Sequence, residues 1–424
     1  MAFLLCLAIP RMTKKVILVW FRNDLRINDN EILFEAINKG DIVIPVYIFD
    51  SRYFGKNSYG FHYTGILRAK FLLESVEYLK SQLQALGADL LIFHGKPEEI
   101  LSKVCAKYEV TQVYHHREVA FRETRISEKV EAALWKERIN LKHFIGHTLY
   151  HKEDLPFPIK DVPESFAQFK KKIEKESFVR PIIPAIDHII THPHLEQTNL
   201  PTLEELGFTP QEIVQSDSNS TPLQGGEEQG LYWLERTLSP SYDEINDYNY
   251  ISPYIAHGNI SPAYYYHKIK ESLPTGKKKK YDNLINRLFW RDYFRFMLKK
   301  HPNIFFKDQE ETKDFQQSTD RLLHLLKEGS DNDAINDLLN EMKQTGNLPY
   351  EYREILAAYM LQELGVHHLA GALVFEEYFI DYAPATVYGY WAHYADKGTS
   401  TKDSIQVPWR DLLKKHYCPS MVVK

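Results

Sequence analysis

Asn286-Arg-Leu-Phe-Trp-Arg-Asp-Tyr-Phe-Arg-Phe-Met-Leu-Lys299 carries two patterns at once. Ile285, Leu288, Phe289, Tyr293, Phe296 and Met297 recur at helical spacing, and Trp290, Phe294 and Leu298 add a second apolar ridge beside them. A helix that is apolar over more than half its circumference belongs inside an all-helical body. Arg287, Arg291, Arg295 and Lys299 follow one another at every fourth position, as a slowly drifting basic stripe. Two readings stand side by side. Cations next to aromatics suit a planar, anionic ligand, because guanidinium both stacks and pairs with phosphate. Alternatively, the stripe is the solvated face of an amphipathic core helix.

Upstream of this helix the pattern changes. Residues 16–21 and 42–49 are short, continuous apolar runs of the buried-strand kind. Residues 31–38 read as a helix between them, and a longer amphipathic helix spans 63–86. A strand at 89–93, helix at 97–107, strand at 112–115, helix at 121–138 and strand at 141–145 continue the alternation. Strands alternating with helices predict a parallel, Rossmann-like α/β sheet with right-handed crossovers. There is no Walker loop and no Gly-x-Gly-x-x-Gly, so neither standard phosphate fingerprint supports a nucleotide site in this half. Residues 155–222 are proline-rich with few long periodic runs, which predicts a connector crossing the surface. The expected division is an α/β domain over 12–150, a connector over 151–222 and an all-α domain over 223–424.

Composition narrows the class. The chain has 424 residues, 44% hydrophobic and 26% charged, enough for two or three domains of an ordinary globular protein. Cys6, Cys105 and Cys418 are too scattered for a disulfide framework or a four-cysteine cluster, which suits a reducing cytoplasm. The apolar start, Met1 to Pro10, lacks the basic region of a secretory signal and is too short to span a bilayer. The working chain is therefore expected to begin near Met12, in the cytoplasm and off the membrane. Net charge is −5, and the half from Leu223 onward is acidic too, so any contact with nucleic acid must be local.

Trp290-Arg-Asp-Tyr-Phe-Arg295 resembles the signature of the cryptochrome/photolyase family in the form its DASH cryptochrome branch carries. Val19-Trp-Phe-Arg-Asn-Asp-Leu-Arg-Ile-Asn-Asp-Asn30 is similar to the start of that family. Thr148 to Pro158 and Val162-Pro-Glu-Ser-Phe-Ala-Gln-Phe-Lys170 match its DASH members almost residue for residue. The resemblance implies a helical domain holding a U-shaped FAD, with Trp290 lining a cavity for a flipped pyrimidine dimer. It implies FAD contacts at Ser252, Arg291, Arg353, Asp381 and Tyr242, with Arg353 pairing Asp381. Trp391 corresponds to the flavin-proximal electron donor. His115-His-Arg-Glu118 is similar to the segment presenting a carboxylate to an antenna folate, so Glu118 implies methenyltetrahydrofolate as a second cofactor. A paired-histidine metal site is the alternative there, but adjacent histidines on a strand point to opposite faces. Arg22, Asp24, Arg26 and Asp29 leave the first strand where open sheets place ligands. They either contact a ligand or cap their loop into the other domain.

Several places depart from the family pattern. The diphosphate-binding stretch stands here as Tyr248-Asn-Tyr-Ile-Ser-Pro253, without the hydroxyl pair and the basic residue. Residues that approach the flavin ring and ribose fall on Ala383 and Val387, and the outer two tryptophans of the electron chain fall on His368 and near Phe315. Arg287 stands where relatives aim a carboxylate or amide at the dimer, Glu354 where a methionine lines the pocket, and His393 stands just past Trp391. The leading expectation is a blue-light FAD flavoprotein, a photolyase-like carbon–carbon lyase. Its excited reduced flavin would give an electron to pyrimidine dimers in single-stranded DNA, with Trp290, Trp391 and Arg287 as the working residues. The alternatives are a repair-incompetent light or redox sensor acting through a protein partner, and an FAD-less binding protein of the same fold.

Overall fold

The computed structural model describes residues 14–217, 221–239, 247–272, 278–306, 313–400 and 407–419. β1 (Val16–Phe21) is buried at every position. Its alternation sends Ile17, Val19 and Phe21 into one apolar layer and Val16, Leu18 and Trp20 into the other. A strand apolar on both faces belongs in the middle of a covered parallel sheet. β1 lies between β2 (Ile42–Asp50) and β4 (Gln112–His116), with β3 (Leu91–Gly95) and β5 (Asn140–Phe144) outside them. The order is β3-β2-β1-β4-β5 and every pairing is parallel. Between the strands run α1 (Glu31–Lys39), α2 (Ile66–Ala85), α3 (Pro97–Lys107) and α4 (Phe121–Lys136). β3 starts at Leu91 rather than at 89 because the Asp89 carboxylate accepts the Leu90 N–H and draws it out of the ladder.

The stretch expected to be a plain connector holds two helices, α5 (Phe166–Glu176) and α6 (Pro210–Asp217). α5 buries Phe166, Phe169 and Ile173 in the core of the helical half. Helices then follow to the end of the described chain: α7 (Glu227–Leu238), α8 (Asp247–Ala256), α9 (Pro262–Ser272), α10 (Lys278–Lys300), α11 (Lys313–Glu328), α12 (Asp333–Thr345), α13 (Tyr350–Gln362), α14 (His368–Tyr378), α15 (Pro384–Tyr394) and α16 (Trp409–His416). α10 is buried almost all round. Even Arg291, Asp292 and Arg295 are inside, so the middle of the basic stripe is buried and only its Lys299 end is exposed.

The loop leaving β1 fastens the two halves together. The Leu25 N–H donates to the His257 carbonyl at 3.2 Å, and Arg26 Nη1 donates to the Gly258 carbonyl at 3.0 Å. The Glu227 carboxylate accepts the N–H groups of Ile27 and Asn28, and Asp29 accepts the Ser261 hydroxyl and the Ile183 N–H. Asp24 accepts from His116 at 2.9 Å. Arg26 and Asp29 therefore cap the loop into the other half, while Asp24 ties it to β4 and Arg22 Nη1 donates to Ser127 on α4. Asp292 makes a second link, accepting the Leu149 and Tyr150 N–H groups at 2.9 Å each.

Gly258 sits at the tightest point of this seam. Its φ is +71°, and a Cβ would come within 1.9 Å of the Asn23 carbonyl oxygen. Gly258→Ala is expected to destabilise the protein by well over the ~1–3 kcal/mol of a strained backbone alone. Gly55, at φ +92° with nothing within 4 Å of an added Cβ, isolates the backbone part. Urea midpoints of Gly258→Ala and Gly55→Ala measure the difference. Equal losses would show that the seam yields freely.

Candidate functional site

α10 and α13 face each other across a cavity of about 90 Å³, closed at its ends by α8 and α15. Its floor is an ion pair. Arg353 Nη1 donates to both oxygens of Asp381, at 2.9 and 3.0 Å, and the Ser252 hydroxyl donates to the same carboxylate. Arg353 is further fixed by the Leu348 carbonyl and the Asn347 side chain, at 2.8 and 3.1 Å. Arg291 reaches in from α10 while donating to the carbonyls of His147 and Ile255. Arg287, one turn earlier, pairs with Glu351 at 3.3 Å and lies over the Tyr350 ring. Ser252, Arg287, Arg291, Arg353 and Asp381 thus line one cavity although they come from separate segments. Tyr242 lies outside the described residues.

Three guanidinium groups against one lining carboxylate make this an anion-binding wall. That donor set fits the diphosphate end of a dinucleotide. The opposite end is different. Ala383 and Val387 offer no polar partner, and Tyr350, Tyr390 and Tyr394 occupy the space, with Tyr350 and Tyr390 centroids 5.2 Å apart. Sites for sizeable ligands run from ~300 Å³ upward. A dinucleotide therefore enters only if these tyrosines swing aside. Glu354 is not among the cavity-lining residues.

Trp290 stands beside the cavity, half-buried, with Phe166 of α5 stacked on its ring at 3.7 Å and 11°. Phe294, Tyr390 and His393 surround it. Nothing in the local pattern around Phe166 announced this stacking, although the segment itself was legible. Trp391 is fully buried and meets Phe375 edge-on at 5.0 Å, with Phe375 lining the cavity. Tyr388, one turn before Trp391, donates to the buried Glu376 carboxylate at 3.1 Å. Burial pushes the Glu376 carboxyl up, against the pull of Arg122 and Arg68. The pairing of a phenol with a buried carboxylate was not read from the sequence, because Glu376 lies on a different helix.

Glu118 lies in a separate place, between the sheet and α10. It accepts Asn23 Nδ2 at 3.0 Å, pairs with Arg295 and has His147 Nε2 3.2 Å away. Burial works against its ionisation, yet the His147 ring, the Arg295 and Arg22 guanidinium groups and the Asn23 bond hold the carboxyl well below the usual range. Both oxygens are thus taken up inside the protein. His115 meets His143 at 2.7 Å while His116 turns to Asp24, so the adjacent histidines part. Among the described residues no group of His, Cys, Asp and Glu could hold a metal ion, and no helix is long and apolar enough to cross a membrane.

Residues 17–187 match the family model for DNA photolyase, and residues 284–417 match that for the FAD binding domain of DNA photolyase. A cryptochrome DASH of Gloeobacter violaceus is 34% identical over 92% of this chain and 81% of its own length. The blue-light photoreceptor PHR2 of Arabidopsis thaliana is 36% identical over 68% of this chain and 70% of its own. The crystal structure of a Synechocystis cryptochrome superposes with a TM-score of 0.84 at 29% identity, covering 95% of this chain and 86% of that one.

Glu118→Gln leaves the buried Arg295 without its counter-charge, an expected loss of ~3–5 kcal/mol at neutral pH. The sign with pH follows from the depressed carboxyl. The pair's contribution is complete above the ordinary Glu value of 4.5 and falls away below it, because the unfolded chain then takes up a proton that the folded one refuses. The stability gap between wild type and Glu118→Gln, from urea unfolding at several pH values, should therefore narrow below that point. A gap that widens on acidification would contradict this account.

Proposed function

This chain belongs to the photolyase/cryptochrome family, and we propose from that premise that its helical half binds FAD beneath α10 and works by light-driven electron transfer. The convergence of Ser252, Arg291, Arg353 and Asp381 on one cation-rich cavity carries the reading. When bound, FAD supplies blue-light absorption and a redox-active ring. This chain's own part is positioning and proton handling. Arg353 and Asp381 form a rigid, mutually neutralised floor, and Arg291 meets a diphosphate, joined by Arg287 if it gives up Glu351. Trp391 is the internal electron donor in this reading. Tyr388 is a second candidate, because phenol oxidation must shed its proton and the Glu376 carboxylate is there to accept it. The domain division at 150 and 222 fits this scheme, with α5 docked on the helical side. A cytoplasmic location and a folate antenna at Glu118 remain parts of the proposal. The sealed Glu118 carboxylate weighs against the antenna.

Titration of the purified protein with FAD, followed by flavin absorbance and by fluorescence quenching, tests the site. Binding is expected to fall at least ~10-fold in Arg353→Ala, the equivalent of a lost charge-assisted bond of ~1.5–3 kcal/mol. Tyr390→Ala should strengthen binding by clearing space. Failure of every variant and of wild type to take up FAD would favour the FAD-less reading.

A second reading, a light or redox sensor without repair, is favoured by one contact. One face of the Trp290 ring carries Phe166, which takes up stacking surface that an extruded base would otherwise use. Base stacking on an aromatic is worth ~1–3 kcal/mol, and flipping a base from a duplex costs a few kcal/mol more. Repair is thus expected to be weak and confined to single-stranded substrate. Illuminating reduced, flavin-loaded protein with single-stranded and duplex oligonucleotides carrying one thymine dimer checks this. Phe166→Ala should raise turnover on the single strand. Comparable wild-type turnover on both substrates would overturn the expectation, and no turnover even in Phe166→Ala would leave the sensor reading.

A further inference from the structure

A cavity of about 410 Å³ opens where the chain around the start of α2 meets α6, α12 and the end of α14. Ile66, Leu67 and Phe208 give it apolar walls, and Asn340 and Gln344 bring amides to it. Its charged groups are Glu212, Lys343 and Glu377, with His62 beside them. Most of these are already matched within the fold. Burial opposes the ionisation of Glu212, yet the Thr209 N–H and hydroxyl, His62 and Lys56 hold its carboxyl low. His62 Nε2 lies 3.0 Å from that carboxylate, and the His62 ring stacks on Phe208 at 5.2 Å. Lys343 donates to the Leu326 carbonyl, in the last turn of α11, at 2.5 Å. Glu377 is the exception. Arg68 spends its guanidinium on the carbonyls of Glu376, Phe379 and Tyr63, and Lys56 is paired with Glu212 at 3.2 Å. Among the described residues no ion pair engages the Glu377 carboxylate.

We propose that this cavity binds a small aliphatic amine or guanidine, with its cationic head on Glu377 and its chain along Ile66, Leu67 and Phe208. A half-buried carboxylate without a counter-ion is a costly arrangement, and a ligand cation supplies what the fold leaves out. Burial and the neighbouring Glu212 push the Glu377 carboxyl up to about 7, against the pull of the His62 N–H, Lys56 and Arg68. Glu377 also stands in the last turn of α14, the negative end of the helix, where a cation is favoured. The loop before α2 is pressed against that helix end, since a Cβ on Gly65 would fall 2.1 Å from the Glu377 carbonyl oxygen. The volume lies near the lower end of the ~300–1,000 Å³ range of small-molecule sites. The amide oxygens of Asn340 and Gln344 can accept further N–H groups of such a ligand. An anion would meet two carboxylates with Lys343 turned aside, and no group here could hold a metal ion. None of these residues lines the cavity beneath α10, so this inference does not depend on FAD binding.

Calorimetric titration of the full-length protein with agmatine tests it. Agmatine should bind saturably at pH 8 and about 10-fold more weakly at pH 6, because the carboxyl that receives it is mostly protonated below its raised value. The amine and guanidinium of the probe stay charged across this range. Glu377→Gln should weaken binding at pH 8 at least ~10-fold, a loss of ~1.4 kcal/mol, and abolish its pH dependence. Thermal unfolding supplies the folding control. Between the ordinary Glu value of 4.5 and about 7 the folded chain keeps a proton that the unfolded chain has released, so wild type loses stability as pH rises through that window. Glu377→Gln should escape this loss and unfold no lower than wild type at pH 8. The other charged or titratable groups around Glu377 are Lys56, His62, Arg68, Glu212, Lys343 and Tyr378. A pH dependence that persists in Glu377→Gln would belong to one of them and overturn the proposal. So would the absence of saturable binding, or equal binding by wild type and variant. A capped Gly-Arg-Gly peptide should bind more weakly than agmatine; tighter binding would give the cavity to a side chain of a partner protein and overturn the free ligand.

Discussion

A guanidinium inside a protein must have its charge and its N–H groups met, and Arg295 finds its carboxylate in the other half of the molecule. It sits on α10, 5% exposed, and its partner Glu118 follows β4, 7% exposed. Such a pair adds little net stability, because desolvation consumes most of the attraction, but it permits few alternatives. Asp292, three residues earlier on the same helix, caps the chain at Leu149 and Tyr150. Residues three apart share a helix face, so both charged contacts turn that face of α10 toward the sheet. Arg287 and Arg291 lie on the same drifting stripe as Arg295, two turns and one turn earlier, and line the cavity beside Arg353.

The same helix also shapes a groove of about 390 Å³ against the start of α4 and the chain after β5, through Phe296, Leu298 and Lys299 near its C-terminal end. The cavity is lined by guanidinium and phenol; the groove has an apolar floor and a rim of two arginines and two lysines. In the cavity each arginine already has internal acceptors, so a ligand there must compete with contacts in place. At the groove rim the cations face water. An anion there would displace solvent rather than protein.

Much of this was open to reading from the residues. The doubly apolar runs named the parallel sheet, because a strand covered on both faces leaves no other pattern. Arg353 and Asp381 were paired by resemblance, and the structure joins them. The misses share a cause. Phe166 meets Trp290 across a chain separation that no local pattern encodes, and Glu351 neutralises Arg287 from another helix. The filling of the cavity by Tyr350, Tyr390 and Tyr394 is a property of volume, which depends on how three elements pack. α5 was hidden by the prolines around it, although Phe166, Phe169 and Ile173 mark one helical face.

The seam at Gly258 also bears on how the chain is made. Arg26 waits for a carbonyl 232 residues downstream, and the Leu25 N–H for one just as far. While the ribosome is still extending the chain, the sheet can close but the loop after β1 cannot be satisfied. Domains emerging first fold first, and contacts of such long range close last. The nascent N-terminal half therefore carries an unsatisfied loop after β1, and a Glu118 without Arg295, until α9 and α10 arrive. Docking of the helical half is the step that ends this vulnerable interval, and it waits until α10 has been made.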